Sequence, residues 1–148
     1  MRGGRLGGCV RVDPVLKILV AEDDPGVQTL LNRILIRRGY AVDCACDGAE
    51  ALKRLAAASY DVVLLDLAMP KVSGVDVLRR LEEEGRSDLL SRIIVVTAAS
   101  TKEIGRLQRV KVLRKPFDLD ELMAAISRIS RGRADADDSS RRAEAPSN

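Results

Sequence analysis

The sequence predicts an α/β domain built on a parallel sheet with helices on both faces. Two observations carry this. Short apolar runs alternate with amphipathic repeats of three and four residues along most of the chain, the pattern of successive strand-helix units. Several of those runs, above all Val62-Val63-Leu64-Leu65, are apolar at every position rather than at every second one, as strands buried on both faces require. A third observation constrains the core. The chain of 148 residues has two Tyr, one Phe and no Trp, so the interior must be aliphatic.

The elements follow in order. Residues 1–14 are rich in Gly and Arg without periodicity and are expected to form a flexible leader. Leu16 to Ala21 is a short apolar strand ending in Glu22-Asp23-Asp24. Val27, Leu30, Leu31, Ile34 and Leu35 then mark a helix that Gly39 closes, with Asp24 a natural N-cap ahead of Pro25. Ala41 to Cys46 alternates, which suits an outer strand with Val42, Cys44 and Cys46 on one side. Ala51, Leu52, Leu55 and Ala56 form a second helix starting near Asp47. The buried strand up to Leu65 meets Asp66, and Met69-Pro70 and Gly74 turn the chain into a third helix over Val75, Leu78 and Leu81 that closes at Gly85.

Ile93 to Val96 is a further apolar strand running into Thr97. Residues 100–110 offer only Ile104 and Leu107 as core positions around Gly105, so a short, weak helix is expected there. Val110 to Leu113 is the last strand, stopping at Lys115-Pro116, and Leu119, Leu122, Met123, Ile126 and Ile129 make the closing helix. The domain thus spans residues 15–130. Residues 131–148 carry four Arg against four acids and no apolar stripe, and read as a disordered tail.

The totals exclude several classes. No apolar run approaches the roughly 20 residues that cross a bilayer, and the start lacks the apolar segment of a secretory signal. The formal net charge is +3, and the excess lies in residues 1–17, so no broad basic footprint for nucleic acid is expected. Three Cys and no His make a poor metal site, and Cys44 and Cys46 read as small apolar residues of a reduced, cytoplasmic protein.

Parallel strands place their carboxyl ends on one edge, where ligands of open α/β sheets bind. Glu22-Asp23-Asp24, Asp66, Thr97 and Lys115 should therefore converge. Such a cluster of carboxylates is self-repelling unless a hard cation joins it, and Mg²⁺ accepts oxygen ligands while retaining waters and phosphate oxygens. With an ammonium and a hydroxyl beside it, this is the equipment for phosphoryl transfer to a carboxylate.

From Lys17 to Arg128 the chain resembles the receiver domain of two-component response regulators. The motifs are E-D-D after the first strand, D-L-A-M-P-K-V-S-G around Asp66, V-V-T-A after the fourth strand, and K-P-F at the end. The resemblance implies a flavodoxin-like (βα)5 doubly wound sheet of strand order 2-1-3-4-5 in a single domain. It implies that Asp66 is the phosphoacceptor, charged from a sensor histidine kinase or a histidine phosphotransfer protein. Asp23 would be the direct Mg²⁺ ligand, with Glu22 acting through water and the Ala68 backbone carbonyl completing the set. Thr97 and Lys115 would bind the phosphoryl group. No separate substrate turnover is implied, and a downstream protein target is expected. With only 18 residues after the domain, a stand-alone regulator is expected.

Two departures from the family pattern stand out: the Thr97–Lys115 segment is shorter by about one helical turn, and Val112 stands where many receivers carry a switch aromatic. The alternative reading is a pseudo-receiver, a binding module not regulated by phosphorylation. An aspartyl-phosphate phosphatase would carry a second Asp where Ala68 stands, and a flavin carrier's phosphate would be repelled by Glu22-Asp23-Asp24.

Overall fold

A computed structural model describes residues 15–98 and 110–144, from residue 133 on as backbone only. Strands β1 (Lys17–Ala21), β2 (Ala41–Ala45), β3 (Val62–Leu65), β4 (Ile93–Thr97) and β5 (Lys111–Arg114) form one parallel sheet in the order β2-β1-β3-β4-β5. Helices α1 (Pro25–Arg37), α2 (Gly48–Ala57), α3 (Gly74–Glu83), α4 (Ser87–Leu90) and α5 (Leu119–Glu144) connect and cover it. The three strands with unbroken apolar runs are central and buried apart from Lys17 at the start of β1, and β2 and β5 form the edges, as their mixed composition requires.

Strand periodicity splits the core in two. On one face Leu19, Ala21, Val63, Leu65, Ile93 and Val95 pack with α2, α3 and α4 residues. On the other, Ile18, Val20, Val62, Leu64, Ile94 and Val96 meet Leu31 and Leu35 of α1 and Leu122 and Ile126 of α5. The aliphatic core expected from the composition is thus two layers on one sheet.

The helix ends obey local chemistry. The Asp24 carboxylate accepts from the Gly26 and Val27 N–H groups at 2.8 and 3.2 Å, and Pro25 opens α1. Ser73 and Asp76 form a reciprocal capping box on α3. Gly39 and Gly85 follow α1 and α3 with φ of +91° and +70°, which L side chains rarely adopt.

Several expectations are corrected. Within the 131–148 segment expected as a disordered tail, residues 131–144 continue α5 to Glu144, and residues 145–148 lie outside the described residues. Ala, Arg and Glu are good helix formers and need no apolar stripe to propagate an existing helix. β2 stops at Ala45, because Asp47 accepts the Glu50 N–H and caps α2, so Cys46 is exposed rather than packed beside Cys44. α4 was not foreseen. Gly74 is not a turn residue but the first residue of α3. The expected 1–14 leader and most of the expected 100–110 helix lie outside the described residues.

At the opposite end of the sheet from the acid cluster, Tyr60 is buried, and its hydroxyl donates to Asp43 Oδ2 at 2.7 Å. Lys17 approaches the same carboxylate at 3.4 Å and Arg54 at 3.9 Å. The Tyr60 hydrogen bond holds Asp43 below the usual carboxylate range, aided by Lys17 and Arg54 against the effect of burial. A folded-state pKa below the unfolded one contributes stability that is present above the unfolded value of about 4 and is lost as pH falls through the folded value. Tyr60→Phe is therefore expected to cost about 1 kcal/mol at pH 7, a charge-assisted hydrogen bond discounted for a carboxylate 33% exposed. The difference should shrink as pH falls below the ordinary carboxylate value of about 4 and through the lower folded-state value of Asp43. Urea melts across pH check this, and a difference that grew on acidification would contradict it.

Candidate functional site

The carboxyl ends of β1, β3, β4 and β5 carry the polar residues that the strand pattern pointed to. Glu22 follows β1, its N–H donating to the Ala45 carbonyl at 3.0 Å, so it is locked to the end of β2. Asp66 follows β3, its N–H donating to the Ala21 carbonyl at 3.0 Å. Thr97 ends β4 fully buried, and its carbonyl accepts the Lys115 N–H at 2.9 Å. These backbone ties are continuations of the parallel ladder. They set four side chains on one edge without help from the side chains themselves.

Carboxylate oxygens of Glu22, Asp23 and Asp66 lie within 4.8 Å of one another. Glu22 and Asp66 are 3% and 6% exposed, while Asp23 is exposed. Lys115 Nζ reaches across to Glu22 Oε2 at 3.0 Å and Asp66 Oδ2 at 3.4 Å. The peptide joining Lys115 to Pro116 is cis. Asp66 Oδ1 also accepts the Ala68 N–H at 3.2 Å, and Glu22 Oε1 accepts the Asp24 N–H at 3.3 Å.

The electrostatics follow from burial and charge count. Burial pushes the Glu22 carboxyl above its ordinary value, the Lys115 hydrogen bond pulls it back, and the Asp66 charge adds to the rise. For Lys115 burial acts against the charged form but is outweighed by the Glu22 hydrogen bond and the Asp66 charge, so the ammonium is held above the usual lysine value. Three carboxylates against one ammonium leave excess negative charge at a partly dry edge. An all-oxygen donor set of this size and sign suits Mg²⁺.

The loop from Asp66 to Gly74 is fastened at both ends. Gly48 donates its N–H to the Val72 carbonyl at 3.0 Å, and Gly74 to the Leu67 carbonyl at 3.0 Å. A Cβ on Gly74 would stand 2.2 Å from the Asp66 carbonyl oxygen, so glycine is there for close backbone approach. Lys71, in the middle of the loop, takes φ of 65°, a strained conformation for a residue with a Cβ, held by the fastened ends.

The structure thus brings together Glu22, Asp23, Asp66 and Lys115, with Thr97 and Ala68 on the same edge. Asp24, one residue beyond the acidic pair, is instead spent on the α1 cap. Val112 is half-buried in β5, paired with Val95 and packed against the core. Sequence reasoning missed Gln28, whose side-chain amide donates to the Glu22 carbonyl at 2.9 Å and to the Ala45 carbonyl at 3.2 Å.

Comparison with known proteins agrees with this geometry. A family model described as the response regulator receiver domain matches residues 18–127. The transcriptional regulatory protein TcrA of Mycobacterium tuberculosis is 39% identical over 137 residues, covering 88% of this chain and 53% of the relative. The transcriptional regulatory protein DltR of Streptococcus agalactiae is 34% identical over 116 residues, covering 75% and 50%. The chain therefore spans about half the length of these curated relatives. Among solved structures, the response regulator TrrA of Thermotoga maritima, in complex with Mg²⁺-BeF, superposes with a TM-score of 0.68 at 32% identity, covering 78% of this chain and 99% of that one. The receiver domain of Francisella response regulator 1452 gives a TM-score of 0.71 at 28% identity, with coverage of 80% and 98%.

Proposed function

This chain belongs to the response regulator receiver domain family, and from that premise we propose that it is a Mg²⁺-dependent phosphoacceptor whose partner binding is switched by phosphorylation of Asp66. The observation that carries the reading is the cluster itself: three carboxylates within 4.8 Å, with Lys115 bridging two of them.

The donor is a phosphohistidine of a sensor histidine kinase or a histidine phosphotransfer protein. An Asp66 carboxylate oxygen forms the new P–O bond as the P–N bond breaks, and the departing imidazole retains the electron pair of that bond. The Lys115 ammonium sits where charge gathers on the equatorial phosphoryl oxygens, and the Thr97 hydroxyl donates to one of them. Glu22, Asp23, Asp66 and the Ala68 carbonyl would hold Mg²⁺, which neutralises phosphoryl charge when bound. The protein acts on its own carboxylate and turns over no separate substrate. The proposed partners, by the family's likeness, are proteins of the cytoplasm.

The test is to incubate the protein with Mg²⁺ and acetyl phosphate and locate the modification by peptide mass mapping. Label on the peptide containing Asp66, lost when the metal is chelated, is the expected result. Label elsewhere, or label indifferent to chelator, overturns the reading.

The two neighbouring acids should separate cleanly. Asp23→Ala is expected to weaken Mg²⁺ binding by about tenfold or more, while Asp24→Ala leaves it within about twofold and costs about 1 kcal/mol through the lost helix cap. Calorimetric Mg²⁺ titration and urea melts on the two variants decide this. A larger Mg²⁺ defect in Asp24→Ala would show that the ligand assignment is off by one residue.

A further inference from the structure

The acidic edge is held in place from behind by an amide with nothing to spare. Gln28 is on the first turns of α1, six residues beyond Glu22. Its Nε2 has two hydrogens, and the structure places two backbone carbonyls in their path: Glu22 at 2.9 Å and Ala45 at 3.2 Å. Both neighbours are pure acceptors, which fixes the amide's orientation. The Ala45 carbonyl already receives the Glu22 N–H at 3.0 Å. Gln28 therefore joins three things: the end of β1, the end of β2 and the body of α1. The remaining contact of the amide, Cys46 Sγ at 4.0 Å, is weak.

The consequence falls on Asp23. Its preceding peptide has its carbonyl pinned by Gln28, and its following peptide is held by the Asp24 N–H, which donates to Glu22 Oε1. Asp23 itself is the one exposed member of the acid cluster. Its direction is set by the backbone on either side rather than by packing of its own side chain. We infer that Gln28 is a positioning residue for the cation site, fixing the Glu22–Asp23 peptide so that the Asp23 carboxylate meets Glu22 and Asp66. This deepens, and rests on, the reading that the cluster takes Mg²⁺.

Loss of the amide separates positioning from stability. The Ala45 carbonyl keeps the Glu22 N–H, and the Gln28–Glu22 bond is only part-buried, so water can replace the amide there and the fold loses little. The metal site loses more, because groups that orient ligands typically govern affinity by tenfold or more. Charge gives a sharper separation. Gln28→Glu adds a negative charge near the cation, which by field alone would tighten Mg²⁺ binding. It also replaces two donors with a carboxylate facing two carbonyls, which would break the clamp.

The experiment titrates Mg²⁺ by calorimetry at pH 8 into the wild type, Gln28→Met and Gln28→Glu, with thermal melts in chelator alongside. Both variants are expected to bind Mg²⁺ about tenfold more weakly, with metal-free melting temperatures lowered by no more than about 5 °C. Gln28→Met within twofold of the wild type, or Gln28→Glu tighter than the wild type, overturns the inference. So would affinity losses that merely track a large drop in melting temperature. If the wild type itself takes no Mg²⁺, it is the reading of the cluster that fails, a result distinct from either.

Discussion

Asp66→Asn is expected to abolish phosphoryl incorporation while making the metal-free protein more stable. The substitution keeps the shape of the side chain. Its amide oxygen can still accept the Ala68 N–H, as Asp66 Oδ1 does at 3.2 Å. What disappears is the anionic nucleophile. An amide oxygen is a poor one, and the neighbouring carboxylates lack its place: Glu22 is tied to Lys115 at 3.0 Å, and Asp23 is exposed.

The gain in stability comes from counting charges. Asp66 is buried within 4.8 Å of carboxylate oxygens from two other residues and has one ammonium, at 3.4 Å, to offset them. Removing it deletes two repulsions and one attraction of similar range, so the balance should favour the variant by about 1 kcal/mol without metal. Phosphorylation and stability would thus move in opposite directions, as is common where a site stores repulsion for use. Mg²⁺ is likewise expected to stabilise the wild type more than the variant, since ligand binding stabilises by an amount set by affinity. Label incorporation by mass, with melts at several Mg²⁺ concentrations, measures all of this. Wild-type labelling of Asp66→Asn would remove Asp66 from its role.

The convergence of Glu22, Asp66 and Lys115 was legible in the sequence because parallel strands leave no choice about where their ends lie. Unbroken apolar runs gave the central strands, and a polar residue at the end of each run gave the site. Asp24 was legible as a cap because Pro25 follows it. What escaped reading has a common cause. Gln28 acts on backbone carbonyls, which every residue has, so no residue pattern marks its partners. Tyr60 and Asp43 meet only once the sheet has formed, 17 positions apart. α4, at four residues, is shorter than any window in which helical periodicity can be detected. The helical run of α5 past residue 130 shows no apolar stripe, the signal by which the other helices were found. Gly74 was visible as a glycine but not for its reason, which is a neighbouring backbone rather than a turn.

That reason makes Gly74→Ala the most damaging small substitution expected in the loop. By propensity alone the change is favourable, since Gly costs up to about 1 kcal/mol against Ala inside a helix, and less in the first turn where Gly74 sits. Sterically it is prohibited without movement. The new Cβ would lie 2.2 Å from the Asp66 carbonyl oxygen, 2.7 Å from the Leu67 Cα and 2.9 Å from the Asp66 carbonyl carbon. All three are backbone atoms, so no rotamer change relieves the contact. Gly74 is also buried, and its N–H holds the Leu67 carbonyl at 3.0 Å. Moving α3 away would break that bond and open the core at Val77 and Leu78, which are buried behind it. Moving Asp66 would shift the nucleophile relative to Lys115. Overpacking against main chain in a core costs about 3 kcal/mol, which outweighs any propensity gain. A displacement near 1 Å at a reacting group is enough to slow a reaction about a hundredfold. Gly74→Ala is therefore expected to lose about 3 kcal/mol in urea melts and to accept phosphoryl groups about a hundredfold more slowly at temperatures where it remains folded. Stability within 0.5 kcal/mol of the wild type, with undiminished labelling, would mean that the loop has slack and that Asp66 is not held through this contact.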